Sequence, residues 1–233
     1  MGLRLFQVRV FRVSALVVVL AAGLGVTACS SAPAGSKTAA ELMPEVQAAA
    51  NGATSVHMAG WVKQGSQTVT IDVRFTGTSS AGTFGVNGQS FYLLSLNGKT
   101  YIKVDAAFLK TAHAPASVCA KVCGKYVEAP ATTGSQITGA LSLHQLISKV
   151  FTNKNVSSAA ASGCVFSPAT FNGQPVLQCR QGGYTVDVAA HGKPYLVYFA
   201  APRQQQMAFS EWNAITPLAA PPASQVVSLN NGG

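Results

Sequence analysis

The order of apolar and polar positions divides the chain into a helix, a run of strands, a helical middle and a second run of strands. Over "TAAELMPEVQAAANGA" (38–53) the apolar residues Ala39, Leu42, Val46 and Ala49–Ala50 recur at helical spacing, and Asn51-Gly52 is a suitable stop. Pro44 predicts a kink or a late start. The period then changes to two. In "TVTIDVRFTG" Val69, Ile71, Val73 and Phe75 share one face, with Thr70, Asp72 and Arg74 on the other. "SVHMAGWVK" before it is the expected partner strand. Asn87-Gly88 and Asn97-Gly98 mark tight hairpins after it. Residues 55–104 therefore predict a meander of about five antiparallel strands.

The middle reads as short helical turns, a strand at Lys125–Glu128 and an amphipathic helix over Gly139–Phe151. Leu143, Ile147, Val150 and Phe151 line one side of that helix, with Leu146 close by. Strands resume at 164–168, 175–179, "GYTVDVAAHGKPYLVYF" and "QQMAFSEW", with a further hairpin at Gly192. The tail "TPLAAPPASQVVSLNNGG" predicts an extended run and a frayed end at 231–233. Helix, strands, helices, strands, without β-α-β alternation, predicts one α+β domain on an antiparallel sheet over 38–230. Two segments are apolar on both faces, Phe91–Leu94 and Tyr195–Phe199. Either both faces of the sheet are packed there, or one face lines a cavity.

The first residues belong to export rather than to the fold. Arg4, Arg9 and Arg12 precede the uncharged "VSALVVVLAAGLGVTA" (13–28), the pattern of a secretory signal. That apolar stretch is shorter than the roughly 20 residues of a membrane-spanning helix. Val26-Thr27-Ala28-Cys29 matches a bacterial lipobox, with Val in place of the commoner Leu. It predicts cleavage before Cys29 and a diacylglyceryl group on its thiol. Two long acyl chains suffice for stable attachment, where one is marginal. The competing reading is an ordinary cleaved signal followed by a chance cysteine. Residues 29–37 form a leash whose eight links span at most roughly 29 Å. The expected location is the extracytoplasmic face of the cell membrane, lipid-anchored. About 200 residues remain, enough for one domain with a real core.

Disulfides persist in that compartment. Cys119, Cys123, Cys164 and Cys179 allow three pairings. Cys119–Cys123 and Cys164–Cys179 are favoured. A four-residue turn at Thr170–Gly173 would set Cys164 directly opposite Cys179, although it also sets Pro168 opposite Pro175. In "CAKVC" three residues separate the cysteines, unlike a thioredoxin-type site, and no histidine pair stands nearby at zinc spacing. No metal and no cofactor is implied.

The chain carries 16 Lys and Arg against seven acidic residues, a net charge of +9. The basic residues are scattered in sequence, without interleaved aromatics, so no nucleic-acid partner is expected. Two readings of the excess stay open: attraction to an anionic lipid surface, or a merely soluble surface.

Several stretches in order, "SVHMAG" (55–60), "NGKTYIKVDAAFL" (97–109), "KYVEAP" (125–130), "GQPVLQC" with "TVDVAAHGKPYLV", "FSEWN" (209–213) and "APPASQVVSL" (220–229), resemble the actinobacterial LppX/LprAFG lipoproteins. The resemblance covers roughly residues 38–229. It implies a LolA-like fold: a curved antiparallel half-barrel with helices covering its concave face, and acylated lipid or glycolipid held between them for envelope transport. The chain departs from that pattern in its four extra cysteines. On this reading the lipid-facing wall comprises Val69, Ile71, Val73, Phe75, Phe84, Val86, Phe91 and Leu93, with Leu143, Ile147 and Val150 from the covering helix. The expected partners are the membrane, through Cys29, and the lipid ligand, bound by a monomer; protein partners are left open.

Three functions compete. A lipid carrier predicts an apolar cavity of several hundred Å³. A lipoprotein that binds another envelope protein, without lipid, predicts a solid core and an exposed apolar patch. An enzyme predicts clustered polar groups in a cleft. The chain has no G-x-S-x-G and no H-E-x-x-H. His57, His113, His144 and His191 are far apart, and Glu41 and Glu45 on one helix face make no acid/base pair. The expectation is therefore no catalytic site, with His57 structural.

Overall fold

The computed structural model describes residues 36–86, 88–130, 141–152 and 163–228. The expected signal segment, Cys29 and the expected leash as far as Gly35 lie outside the described residues, as do Gly139, Ala140 and the residues beyond Ser228.

Thr38 starts the first helix, α1 (Ala39–Asn51), by closing a capping box. The Glu41 amide donates to Thr38 Oγ1 at 3.3 Å, and the Thr38 amide donates to Glu41 Oε2 at 2.8 Å. That amide holds the Glu41 carboxyl below its usual range. Pro44 neither delays nor ends the helix. Pro44 is exposed, and so is Ala40, whose carbonyl loses its donor to the proline ring, so water can reach it. Ala39, Leu42, Met43, Val46 and Ala50 form the buried stripe.

Five strands follow as expected: β1 (Ser55–Gln64), β2 (Gln67–Thr76), β3 (Ser79–Val86), β4 (Gln89–Leu96) and β5 (Lys99–Lys103). Asn97 and Gly98 turn β4 into β5 with φ of 52° and 78°, both in the left-handed region that a two-residue hairpin of this twist requires. Then come α2 (Ala106–Thr111), α3 (Ala116–Val122), β6 (Tyr126–Glu128) and α4 (Leu143–Thr152). A second meander holds β7 (Ser167–Phe171), β8 (Gln174–Gln181), β9 (Tyr184–Ala189), β10 (Leu196–Ala201) and β11 (Gln205–Ser210). A short 3-10 turn leads into β12 (Val226–Ser228).

The twelve strands among the described residues make one open, curved sheet in the order β12-β6-β5-β4-β3-β2-β1-β11-β10-β9-β8-β7. The architecture is α+β, as expected. Its two meanders join where β1 pairs antiparallel with β11, from His57 opposite Ser210 to Val62 opposite Gln205. Gly60 sits in that junction; a side chain there would run into the backbone at Gln206.

Three expectations need correction. The β7–β8 turn is two residues, Asn172-Gly173, not four, because both adopt positive φ (46° and 78°) and close a tight hairpin. The register shifts accordingly: Pro168 faces Leu177, and Pro175 faces Thr170. The Cys164–Cys179 bridge forms nonetheless, with Cys164 ahead of the strand rather than within it, and Cys119–Cys123 forms as well. The tail is not merely extended, since β12 pairs parallel with β6.

The principal core lies on one face of the sheet, under α1 and α4. It unites Leu42 and Val46 with Val56, Val73, Phe75, Leu143, Ile147, Phe166, Val188 and Phe199. The opposite face carries a smaller cluster of Ala81, Leu94 and Tyr101, against which Leu218 and Val226 of the tail pack. Phe91–Leu94 is therefore apolar on both sides because both sides have something to pack against.

Candidate functional site

The predicted lipid wall is a continuous surface of the sheet. Register aligns Val69 with Val86, Ile71 with Phe84, Phe84 with Phe91, and Gly82 with Leu93. The wall has two regimes. Val73, Phe75, Leu93, Leu143 and Ile147 are buried, while Val69, Ile71, Phe84, Val86, Phe91 and Val150 are half-buried. The half-buried part is aromatic: Phe84 stacks on Phe91 at 5.8 Å, and Phe91 meets the edge of Phe108 from α2 at 5.8 Å. Sequence reasoning missed Phe108, because a six-residue helix gives no usable periodicity.

Helix α4 closes over the other end of this face. Leu146, Ile147, Val150 and Phe151 oppose Leu196, Phe209 and Trp212. The void between them is about 10 Å³, room for no more than one water. The expected cavity of several hundred Å³ is not open at this seam, because the apolar stripe of α4 packs directly onto β10 and β11. The Leu143 amide, at the start of α4, donates to the Gly77 carbonyl at 3.0 Å. The start of α1 is tied by two such bonds: the Ala39 amide donates to the Cys164 carbonyl, and the Phe166 amide to the Lys37 carbonyl.

The outer surface of β1, β2 and β11 carries a polar constellation where "SVH" and "FSEWN" meet. His57 Nε2 lies 2.8 Å from Asp72 Oδ1, and Nδ1 lies 3.2 Å from Ser210 Oγ and 3.7 Å from Glu211 Oε1. Arg74 donates to both oxygens of Glu211 at 2.9 and 3.0 Å. These bonds hold the Glu211 carboxyl below its usual range. Serine, histidine and aspartate in one chain match the residue types of a nucleophile relay. Here His57 ties Asp72 of β2 to Ser210 of β11, and Arg74 of β2 holds both oxygens of Glu211, so the network reads as a clasp across three strands. Asn213 extends the clasp. Its Oδ1 accepts from the Thr54 amide at 2.7 Å, and its Nδ2 donates to the Tyr195 hydroxyl at 2.6 Å. Trp212 stacks on Tyr195 at 4.8 Å and donates to the Leu196 carbonyl at 2.9 Å. Among the described residues, no group of three or more His, Cys, Asp or Glu side chains is placed to hold a metal.

Asp187 is buried between β8 and β10. Its Oδ1 accepts from Gln178 Nε2 at 2.8 Å, while Oδ2 has no partner. Burial pushes its carboxyl above the usual range. A raised carboxyl adds stability that is complete below the unfolded value, near 3.8, and is lost as pH rises through the folded value. Asp187→Asn keeps the bond from Gln178 and removes the charge. It is expected to be more stable than the parent at pH 8 by about 1–2 kcal/mol, with the gap closing toward pH 4. Urea unfolding at the two pH values measures this, and a gap independent of pH would refute it.

No family model and no curated protein matches the sequence. Among solved structures the chain is similar to LprF from Mycobacterium bovis, with a TM-score of 0.49 and 14% identity over 78% of this chain and 96% of that one. It is also similar to the lipoprotein LppX of Mycobacterium tuberculosis, with a TM-score of 0.44 and 14% identity over 78% of this chain and 98% of that one. The likeness is one of fold. Among the described residues, no helix is long and apolar enough to cross a membrane.

Proposed function

We propose that the protein is a lipoprotein anchored through Cys29 to the extracytoplasmic face of the membrane, and that it binds an acylated lipid between α4 and the sheet. The observation that carries this reading is the seam itself. Four apolar side chains of α4 face three from β10, β11 and the segment after β11 there, and the half-buried aromatic row of Phe84, Phe91 and Phe108 continues the same face. A binding site for acyl chains needs apolar walls with few polar anchors. Admitting a chain requires α4 to lift from β10 and β11 while α1 stays stitched. The lipobox supports the anchor, and a pool of envelope lipid would then lie within reach of the leash.

A second reading is favoured by the small void: a lipoprotein with a solid core that binds another envelope protein. Lipid extraction and mass spectrometry separate the two. The protein is purified from its native membrane, and the Cys29 peptide is removed. One equivalent of lipid beyond the anchor is the expected result. Protein that comes out empty and also fails to take up lipids extracted from that membrane would overturn the lipid reading.

A further inference from the structure

The segment 103–125, which forms the α2–α3 hairpin and its junction with the sheet, carries four lysines. This helical pair leaves and rejoins the sheet at one place, because the Gly124 amide donates to the Val104 carbonyl at 3.2 Å and Lys103 pairs with Tyr126. Lys103 stands at that junction with its ammonium 5.1 Å over the Tyr126 ring. Lys110 ends α2, Lys121 ends α3, and Lys125 follows; all three are exposed, as is His113 at the tip. The helices are six and seven residues long, so the hairpin is only about 10 Å in length. Lys110 stands toward the tip and Lys121 and Lys125 toward the base, so they are spread along a hairpin about one screening length long.

Six of the chain's seven acidic residues are engaged elsewhere. Glu41 caps α1, Glu45 pairs with Lys37, Asp72 bonds His57, Glu128 pairs with Lys99, and Glu211 pairs with Arg74. Asp187 is buried. Asp105 alone belongs to the hairpin, and its Oδ1 accepts from the Phe108 amide at 2.7 Å as the cap of α2. Four lysines thus stand against one committed carboxylate over residues 103–125. The Cys119–Cys123 bridge ties α3 to the residue that follows it and closes around Lys121.

We propose that the α2–α3 hairpin docks on an anionic lipid surface through Lys110, Lys121 and Lys125. Charge complementarity selects the partner: a flat anionic bilayer accepts several exposed ammonium groups at once without needing a shaped pocket. Each lysine near such a surface shifts the docked-to-undocked ratio by about fivefold. The docking needs no lipid in the seam, so it stands or falls apart from the ligand reading.

The test is lysine acetylation footprinting. The full chain, purified from its membrane, is reconstituted on vesicles of phosphatidylcholine alone or with phosphatidylglycerol. On the anionic vesicles Lys110, Lys121 and Lys125 are expected to acetylate several-fold more slowly than on neutral ones, while Lys63 and Lys193 are unchanged. Raising the salt to about 1 M, where the screening length is about 3 Å, is expected to abolish the difference. Equal labelling on both vesicles, or protection spread evenly over Lys63 and Lys193, would overturn the proposal. In the chain carrying Lys110→Gln and Lys125→Gln, protection of Lys121 is expected to fall, with circular dichroism confirming the fold.

Discussion

Replacing Phe75 with alanine is expected to lower the unfolding free energy by about 3–5 kcal/mol, the cost of removing a fully buried phenyl ring and leaving its cavity. Phe75 is 2% exposed, faces Val56 of β1 and Ser80 of β3, and belongs to the core under α1. Collapse cannot fill the space, because the strands on either side are fixed by their ladders. Phe91→Ala on the same face is expected to cost less than about 2 kcal/mol, since that ring is half-buried and its removal leaves an open notch. Urea midpoints compared at constant slope measure both. The contrast separates a dry core from an accessible wall. If Phe91→Ala proves as costly as Phe75→Ala, the aromatic row is packed interior and has no room for an acyl chain. If the contrast holds, Phe91→Ala should also reduce the lipid recovered with the protein.

Removing the Cys164–Cys179 bridge, as Cys164→Ala with Cys179→Ala, is expected to cost about 3 kcal/mol, from the entropy that a loop of about 15 residues regains when unfolded. The loss should also be local. Cys164 accepts from the Ala39 amide, Val165 bridges Thr38, and Phe166 donates to Lys37, so the bridge pins the segment on which α1 begins. Hydrogen exchange at the Ala39 and Phe166 amides should accelerate in the double variant. The Cys119–Cys123 bridge spans four residues, and the Cys123 amide already donates to the Cys119 carbonyl. Its removal is expected to cost less, about 2 kcal/mol by the same relation. An equal or reversed order of the two would refute this account of the Cys164–Cys179 bridge.

What was legible in the sequence was local. The alternation from Val69 to Phe75, the helical stripe from Ala39 to Ala50 and the apolar side of Leu143–Phe151 each follow from a period of one element, and each stands as read. Asn-Gly at 97–98 placed its hairpin, and the same chemistry at Asn172-Gly173 was a readable signal that the longer-turn reading passed over. Pro44 misled because its cost depends on whether the carbonyl it orphans can meet water, which only packing decides. The pairing of Cys164 with Cys179 does not depend on the four-residue turn, because a side chain just before a strand can still cross to its neighbour.

By itself the sequence determined which segments are strands and helices, which face of each is apolar, and which chemistry the isolated residues could carry, because hydrogen bonding and side-chain direction repeat within one element. The tertiary structure alone decided that β1 meets β11, that the tail becomes a strand beside β6, and that α4 closes onto Leu196, Phe209 and Trp212. Those choices join residues up to about 150 positions apart. No local period encodes them; they are selected by which surfaces can be buried together once the loops have closed.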